Sequence, residues 1–521
     1  MRQILATLAL LGALAFWLLV TRGSFGVPHE WVLDPNATPW PLGAYLLPLG
    51  VLFIFGGAAA LSVFDRFKRA KSDAEKRNST LTALFCLAIV LFLWPWALLG
   101  PGAISQKDPH GGPPRLTLEG RFNIIAAQWS DVATEYFGVA YQISDARSFG
   151  GEYARKWQKP PSPFQAHVAT HPPGAVLFFY GARRLYEGLP PVKNAFESLA
   201  VALTRQSLEE SRDLAGALRT SSSVGIGAPD PPNLPLSAVG GALWSAFLLG
   251  FSLVLAIPAV YGLATSGQSG DEAEKRGLFA VALWVLAPAV NLFAFSLDAP
   301  IAMGSVWTLF LCARALENPD PKRARLSMLG AGVLLALTSF LSFGTLAIGA
   351  ILVWVLIFHR REMLKTRGLE LVLAFAGTWL FLSLVFNFNP LEVFFNAMQV
   401  HRYATLGKRS HLAWAAMNLV MWAPFLGFAA LFCALLCALR RPKADLSGAQ
   451  IGVATLFVLL LLSLSGNVRG EVERLWLFAL APVAVWAAFA PITTKNRAIL
   501  LALQAAQTLL MAATLGPLVR P

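Results

Sequence analysis

Asp131 and Glu135 stand at i and i+4 in WSDVATEYFGVAYQISD (129–145), a spacing that places both carboxylates on one face of a short amphipathic helix. Held near a membrane surface, such a pair can take a proton from a hydroxyl or share a divalent cation; the same pair can equally be the solvated face of a surface helix. Further along, HVATHPPGAVLFFYG (167–181) sets His171 before two prolines that fix an extended backbone, so its ring is expected where the chain meets the membrane. Asp298, in FSLDAP, falls between two apolar runs, where a carboxylate either faces a polar cavity or partner or caps the next helix. In GNVRGEVERLW (466–476), Arg469, Glu471, Glu473 and Arg474 crowd a turn between two apolar runs. Guanidiniums there can hold a phosphate bidentately, or can be neutralised by the neighbouring glutamates.

The elements that must position these residues are membrane helices. The 521-residue chain is 56% hydrophobic and only 14% charged, a composition that a soluble globule cannot bury. Apolar runs able to cross the bilayer as helices, each about 20 residues, recur at 3–20, 43–64, 80–100, 236–264, 277–297, 300–317, 327–341, 343–358, 369–387, 412–439, 449–465, 475–492 and 498–517. The reading is an all-α polytopic membrane protein with about 13 transmembrane helices and an external loop carrying short juxtamembrane helices. The ten-residue alternating segments of a β-barrel are not visible. Three parts follow: 1–100 with three helices, 101–235 with the loop and its motifs, and 236–521 as the C-terminal bundle. The first run, after Arg2, has no small-x-small cleavage site behind it and reads as a retained helix.

Lysine and arginine set the orientation. RFKRAKSDAEKR (66–77), KRAR (322–325), HRREMLKTR (359–367), RRPK (440–443) and TKNR (494–497) flank apolar runs and are expected in the cytoplasm. The net charge of +13 is thereby a topological signal and calls for no nucleic acid. All four acidic and basic motifs then fall outside, as do six of the seven histidines. Segment 174–189 is expected to be re-entrant or juxtamembrane, because Arg205, Glu209 and Glu210 make a second crossing at 191–207 costly. Cys86, Cys312, Cys433 and Cys437 all lie in apolar runs and read as packing residues. No phosphate-binding glycine motif is present.

The acidic pair in the first large outside loop, the His-Pro-Pro-Gly after it and the Asp at the outer end of a later helix pair resemble the GT-C class of membrane glycosyltransferases. The protein O-mannosyltransferase and lipid A aminoarabinose transferase group is the nearest in pattern, over roughly residues 120–345; the GEVERLW turn is similar to one in arabinofuranosyltransferases of that class. The family often has adjacent acids, whereas Asp131 and Glu135 are separated here. The resemblance implies transfer of a sugar from a polyprenyl-phosphate donor to a hydroxyl on a lipid, glycan or protein acceptor, with inversion, at the periplasmic face of a bacterial inner membrane. In that chemistry Asp131 is expected to be the base and Glu135 its orienting partner. Arg469 and Arg474, with His171, are expected to meet the lipid phosphate, Glu471 and Glu473 to hold the guanidiniums or sugar hydroxyls, and Asp298 to line the site. Asp131 and Glu135, with Asp298, are also the expected ligands of any divalent cation. A lipid-linked polysaccharide polymerase or ligase, or a transporter or flippase, is the alternative.

Overall fold

The computed structural model describes residues 25–27, 31–33, 42–68, 72–99, 136–158, 166–204, 207–209, 211–212, 235–440 and 447–514. Within them the chain is helical apart from one antiparallel hairpin, β1 (Phe25–Val27) and β2 (Trp31–Leu33). Helices α1 (Gly43–Phe67) and α2 (Asp73–Ala97) form the first antiparallel pair. Short helices follow: α3 (Tyr136–Tyr141), α4 (Ala146–Lys156), α5 (Ala166–Thr170), α6 (Gly174–Gly188) and α7 (Pro190–Thr204). The main bundle is α8 (Leu236–Thr265), α9 (Asp271–Val285), α10 (Pro288–Leu292), α11 (Asp298–Glu317), α12 (Pro321–Leu341), α13 (Leu346–His359), α14 (Arg361–Phe386) and α15 (Pro390–His401). It closes with α16 (His411–Leu426), α17 (Phe428–Arg440), α18 (Ser447–Ser465), α19 (Val472–Leu475), α20 (Leu477–Ala487) and α21 (Thr494–Thr514).

Eight helices among the described residues are long and apolar enough to cross a membrane, nine if the bent pair α16 and α17 is one span. The protein is therefore a multi-pass helical membrane protein. Run 3–20 lies outside the described residues, while 277–297 and 475–492 fold as shorter pieces. Proline explains the first of these breaks: Pro288 has no N–H for the Trp284 carbonyl, which takes the Ala287 N–H instead, and Asn291 Nδ2 donates to the Val285 and Ala287 carbonyls at 2.8 and 2.9 Å. Helices α16 and α17 meet at 114° across Gly427, whose φ of +97° only glycine adopts readily. Buried polar groups on α21 serve both breaks. Gln504 takes the Ala430 N–H at 3.0 Å and donates to the Leu283 carbonyl, Gln507 bridges the Phe428 N–H and the Pro424 carbonyl, and Thr508 donates to the Leu286 carbonyl. In hydrocarbon no water would do this.

Helix α8 packs on α11, α11 on α12 and α12 on α14, with α18 against α20. Small residues allow the approach: a Cβ on Gly332 would press on the backbone of α14, and one on Gly452 would press on Trp486. Phe53, Leu61, Phe85, Phe381 and Leu384 face outward, as a lipid-facing surface requires. The two ends of the bundle differ. At one, Arg66 pairs with Glu274 at 2.8 Å, Arg367 with Glu370 at 2.8 Å, and Glu317 accepts the Ser447 N–H. At the other end of α11, about 30 Å away for 20 residues, stands Asp298.

Helices α6 and α7 form a hairpin tied by Tyr186 Oη donating to Glu197 at 2.6 Å. Each is 15 residues, about 22 Å, and neither is among the eight long apolar helices. All four cysteines are buried and free.

Candidate active site at the Asp298 end

Three separate stretches meet at this end: the start of α3, the start of α11, and the turn between α18 and α20. The turn is built first by backbone geometry. Gly466, Gly470 and Glu471 all take left-handed φ (+68°, +85° and +58°), and only Glu471 carries a side chain that disfavours it. Neighbouring side chains then hold the turn. Asn418, fully buried on α16, donates to the Val468 carbonyl at 2.8 Å and accepts the Gly470 N–H at 3.1 Å. His401 and His411 each donate a ring N–H, at 2.9 Å, to the carbonyls of Asn467 and Leu464. Arg469 turns onto backbone, donating to the Gly466, Leu406 and Arg409 carbonyls.

So fixed, the turn presents Glu471 and Arg474. Glu471 Oε1 accepts from Arg409 Nη2 at 2.9 Å, and its other oxygen accepts from Arg474 Nη2 at 3.1 Å. Arg474 Nε reaches Asp298 Oδ2 at 3.7 Å, and Ser296 Oγ donates to the same oxygen at 3.1 Å. The chain of charges is therefore Arg409, Glu471, Arg474, Asp298. Burial works against the Arg474 cation, but Asp298 and Glu471 outweigh it and hold its pKa above the ordinary value. Asp298 is not an N-cap: Leu297 occupies that position, in helical conformation and with no side-chain cap bond. Glu473 is buried on α19.

Tyr136, in the third stretch, is near enough to Arg474 to feel its charge. Its ring is 2% exposed, stacks on Phe179 with centroids 5.8 Å apart, and meets the His171 ring edge-on at 5.5 Å. Burial pushes its phenol above the usual value, with Arg474 close enough to oppose that shift. His171 Nδ1 donates to the Leu341 carbonyl at the end of α12 at 3.0 Å, while Tyr153 Oη donates to the carbonyls of Val168 and His171. Arg183 caps α3 from below, donating to the carbonyls of Ala140, Tyr141 and Ile143. Tyr136 to Ala140 are buried, while Ser144 and Asp145 are exposed.

Of the residues that the sequence points to, Asp298, Glu471 and Arg474 form one connected network, and His171 meets Tyr136, whose phenol feels the charge of Arg474. Asp131 and Glu135 lie outside the described residues. Arg469 stands in the same turn with its guanidinium on carbonyls. Tyr136, Ser296, Arg409 and Asn418 were not singled out. Of these, Asn418 and Ser296 are polar residues inside apolar runs, and Arg409 belongs to the basic, aromatic segment 401–411. Among the described residues, no three His, Cys, Asp or Glu side chains are grouped to hold a metal ion. No family model, curated protein or solved structure matches the chain.

Proposed function

We propose that the protein is a GT-C-like glycosyltransferase, with about 13 transmembrane helices, that moves a sugar from a polyprenyl-phosphate donor to an acceptor hydroxyl. The observation that supports this reading is the network of Arg474 with Asp298 and Glu471 beside Tyr136, the residue that follows Glu135 in the chain. In the proposed reaction the acceptor oxygen attacks the anomeric carbon, the bond from that carbon to the phosphate oxygen breaks with inversion, and Asp131 takes the hydroxyl proton. Glu135 orients that base. Arg474, one-fifth exposed, meets the negative charge growing on the departing lipid phosphate. Arg469, committed to three carbonyls, acts by shaping the turn that aims Arg474. His171, with Nδ1 on the Leu341 carbonyl, stands against the Tyr136 ring, and Asp298 positions Arg474.

A transporter is the second reading, favoured by the two broken helices, since discontinuous helices build many transport sites. Here the backbone groups freed at the breaks are engaged by Gln504, Gln507 and Thr508. One experiment separates the readings: purified protein in lipid, a panel of radiolabelled polyprenyl-phosphate sugars, and release of free lipid phosphate. Transfer from one donor that falls about a hundredfold or more in Asp131→Asn supports the glycosyltransferase. Absence of transfer with every donor, or full transfer in Asp131→Asn and Glu135→Gln alike, overturns the proposed site.

A further inference from the structure

The opposite end of the bundle holds a cavity of about 1180 Å³ between α2, α8, α11 and α12. Its long wall is one stripe of α2: Lys76 and Arg77, then Thr80, Leu84 and Ala88 at successive turns. Twelve residues separate Lys76 from Ala88, about 18 Å of helix, so one groove runs from a cationic mouth to an apolar floor. The facing walls are Tyr261 and Pro258 of α8 and Trp307 and Met303 of α11. Pro258 lies inside α8 there, and the Trp307 indole N–H donates to the Leu255 carbonyl at 2.9 Å, fixing the ring on the groove wall.

Charge at the mouth is partly spoken for. Arg66 is 4% exposed and holds Glu274 and Asp271 at 2.8 and 3.3 Å, while Thr80 Oγ1 donates to the same Glu274 oxygen. Arg66 thereby offsets one of the two carboxylates it holds, and Asp73 is the other acid on the lining beside Lys76 and Arg77. Lys76 and Arg77 make no ion pair among the described residues, and Arg66 Nη1, on the same wall, has no hydrogen-bond partner there. Two cations and a buried guanidinium N–H that have no acid or acceptor among the described residues, beside an apolar trough long enough for an acyl chain, have one complementary ligand class.

We infer that this groove seats an anionic phospholipid, with an acyl chain along Leu84 and Ala88 and its headgroup phosphate on Lys76 and Arg77. The headgroup end of the site is independent of the glycosyltransferase reading: Lys76 and Arg77 lie at the other end of the bundle from Asp298, and the groove reaches along α11 as far as Met303. Native mass spectrometry of the full-length protein in nonionic detergent, titrated with phosphatidylglycerol or phosphatidylcholine of matched chains, tests it. The expected result is roughly tenfold tighter binding of phosphatidylglycerol, lost in Lys76→Gln/Arg77→Gln, whose changes are at the rim. Leu84→Trp, which fills the trough but keeps the cations, should weaken both lipids. Equal binding of the two lipids by the unaltered protein, or a preference that survives the double substitution, overturns the inference. Displacement of phosphatidylglycerol by an equal concentration of polyprenyl phosphate also overturns it, giving the groove to the donor lipid instead.

Discussion

Removing Arg474 should expose how much of the outer network depends on one guanidinium. Arg474→Met deletes the contacts to Asp298 at 3.7 Å and Glu471 at 3.1 Å. Glu471 keeps Arg409 at 2.9 Å, so the charge left uncompensated is that of Asp298, whose side chain is 12% exposed. Stripping the partner from a buried charge costs about 3–5 kcal/mol. Water reaches one-fifth of the Arg474 side chain, which lowers the expectation to roughly 2–3 kcal/mol. Asp298→Asn alone leaves a cation that still has Glu471, and should cost less. Combining the two substitutions removes both charges, so the loss should fall short of the sum by about 1–3 kcal/mol. Reversible unfolding in mixed micelles, with sodium dodecyl sulfate as denaturant, measures all four corners of this cycle. Coupling within about 0.5 kcal/mol of zero, the scatter expected for independent sites, would refute the network as an energetic unit.

Gln504→Leu should destabilise by about 1–3 kcal/mol in the same assay, because the Leu283 carbonyl and the Ala430 N–H lose their partner where water is scarce. An unchanged midpoint would mean that the helix breaks are satisfied in another way. Gly150→Ala should cost about 1–3 kcal/mol, since its new methyl group overlaps the Phe386 carbonyl oxygen and forces α4 off α14. Gly377→Ala, where a Cβ meets nothing within 4 Å, is the matched control and should be neutral or stabilising by up to about 1 kcal/mol.

Much of the helix layout is a one-dimensional property. A run such as 236–264 is apolar on every side, and lipid admits no other backbone state, so the helix Leu236–Thr265 lies almost where the run does. Helix ends are also local: Ser72 with Glu75, Asp320 before Pro321 and Asn389 before Pro390 cap the helices they precede. Breaks are only half local. Pro288 announces one, but Gly427 becomes a 114° bend because Gln504 and Gln507 of a distant helix supply the missing hydrogen bonds.

The candidate site divides along the same line. That Asp298 and the 466–476 turn belong to the same end of the bundle follows from counting spans against the basic loops. Which charges meet does not follow from counting. Arg469 and Arg474 are the same residue type in one turn, yet left-handed Gly470 and Glu471 send the first onto carbonyls and the second toward Asp298. Asp298 could cap its helix on sequence alone, and the carboxylate faces Arg474 because Leu297 already occupies the cap position. Tyr136 reads as one aromatic among many, and only packing on Phe179 and His171 brings it to the charges. Composition determines that a helix crosses the bilayer because hydration is a property of each residue; tertiary structure decides which polar groups share a site because a contact depends on the orientation of two helices at once.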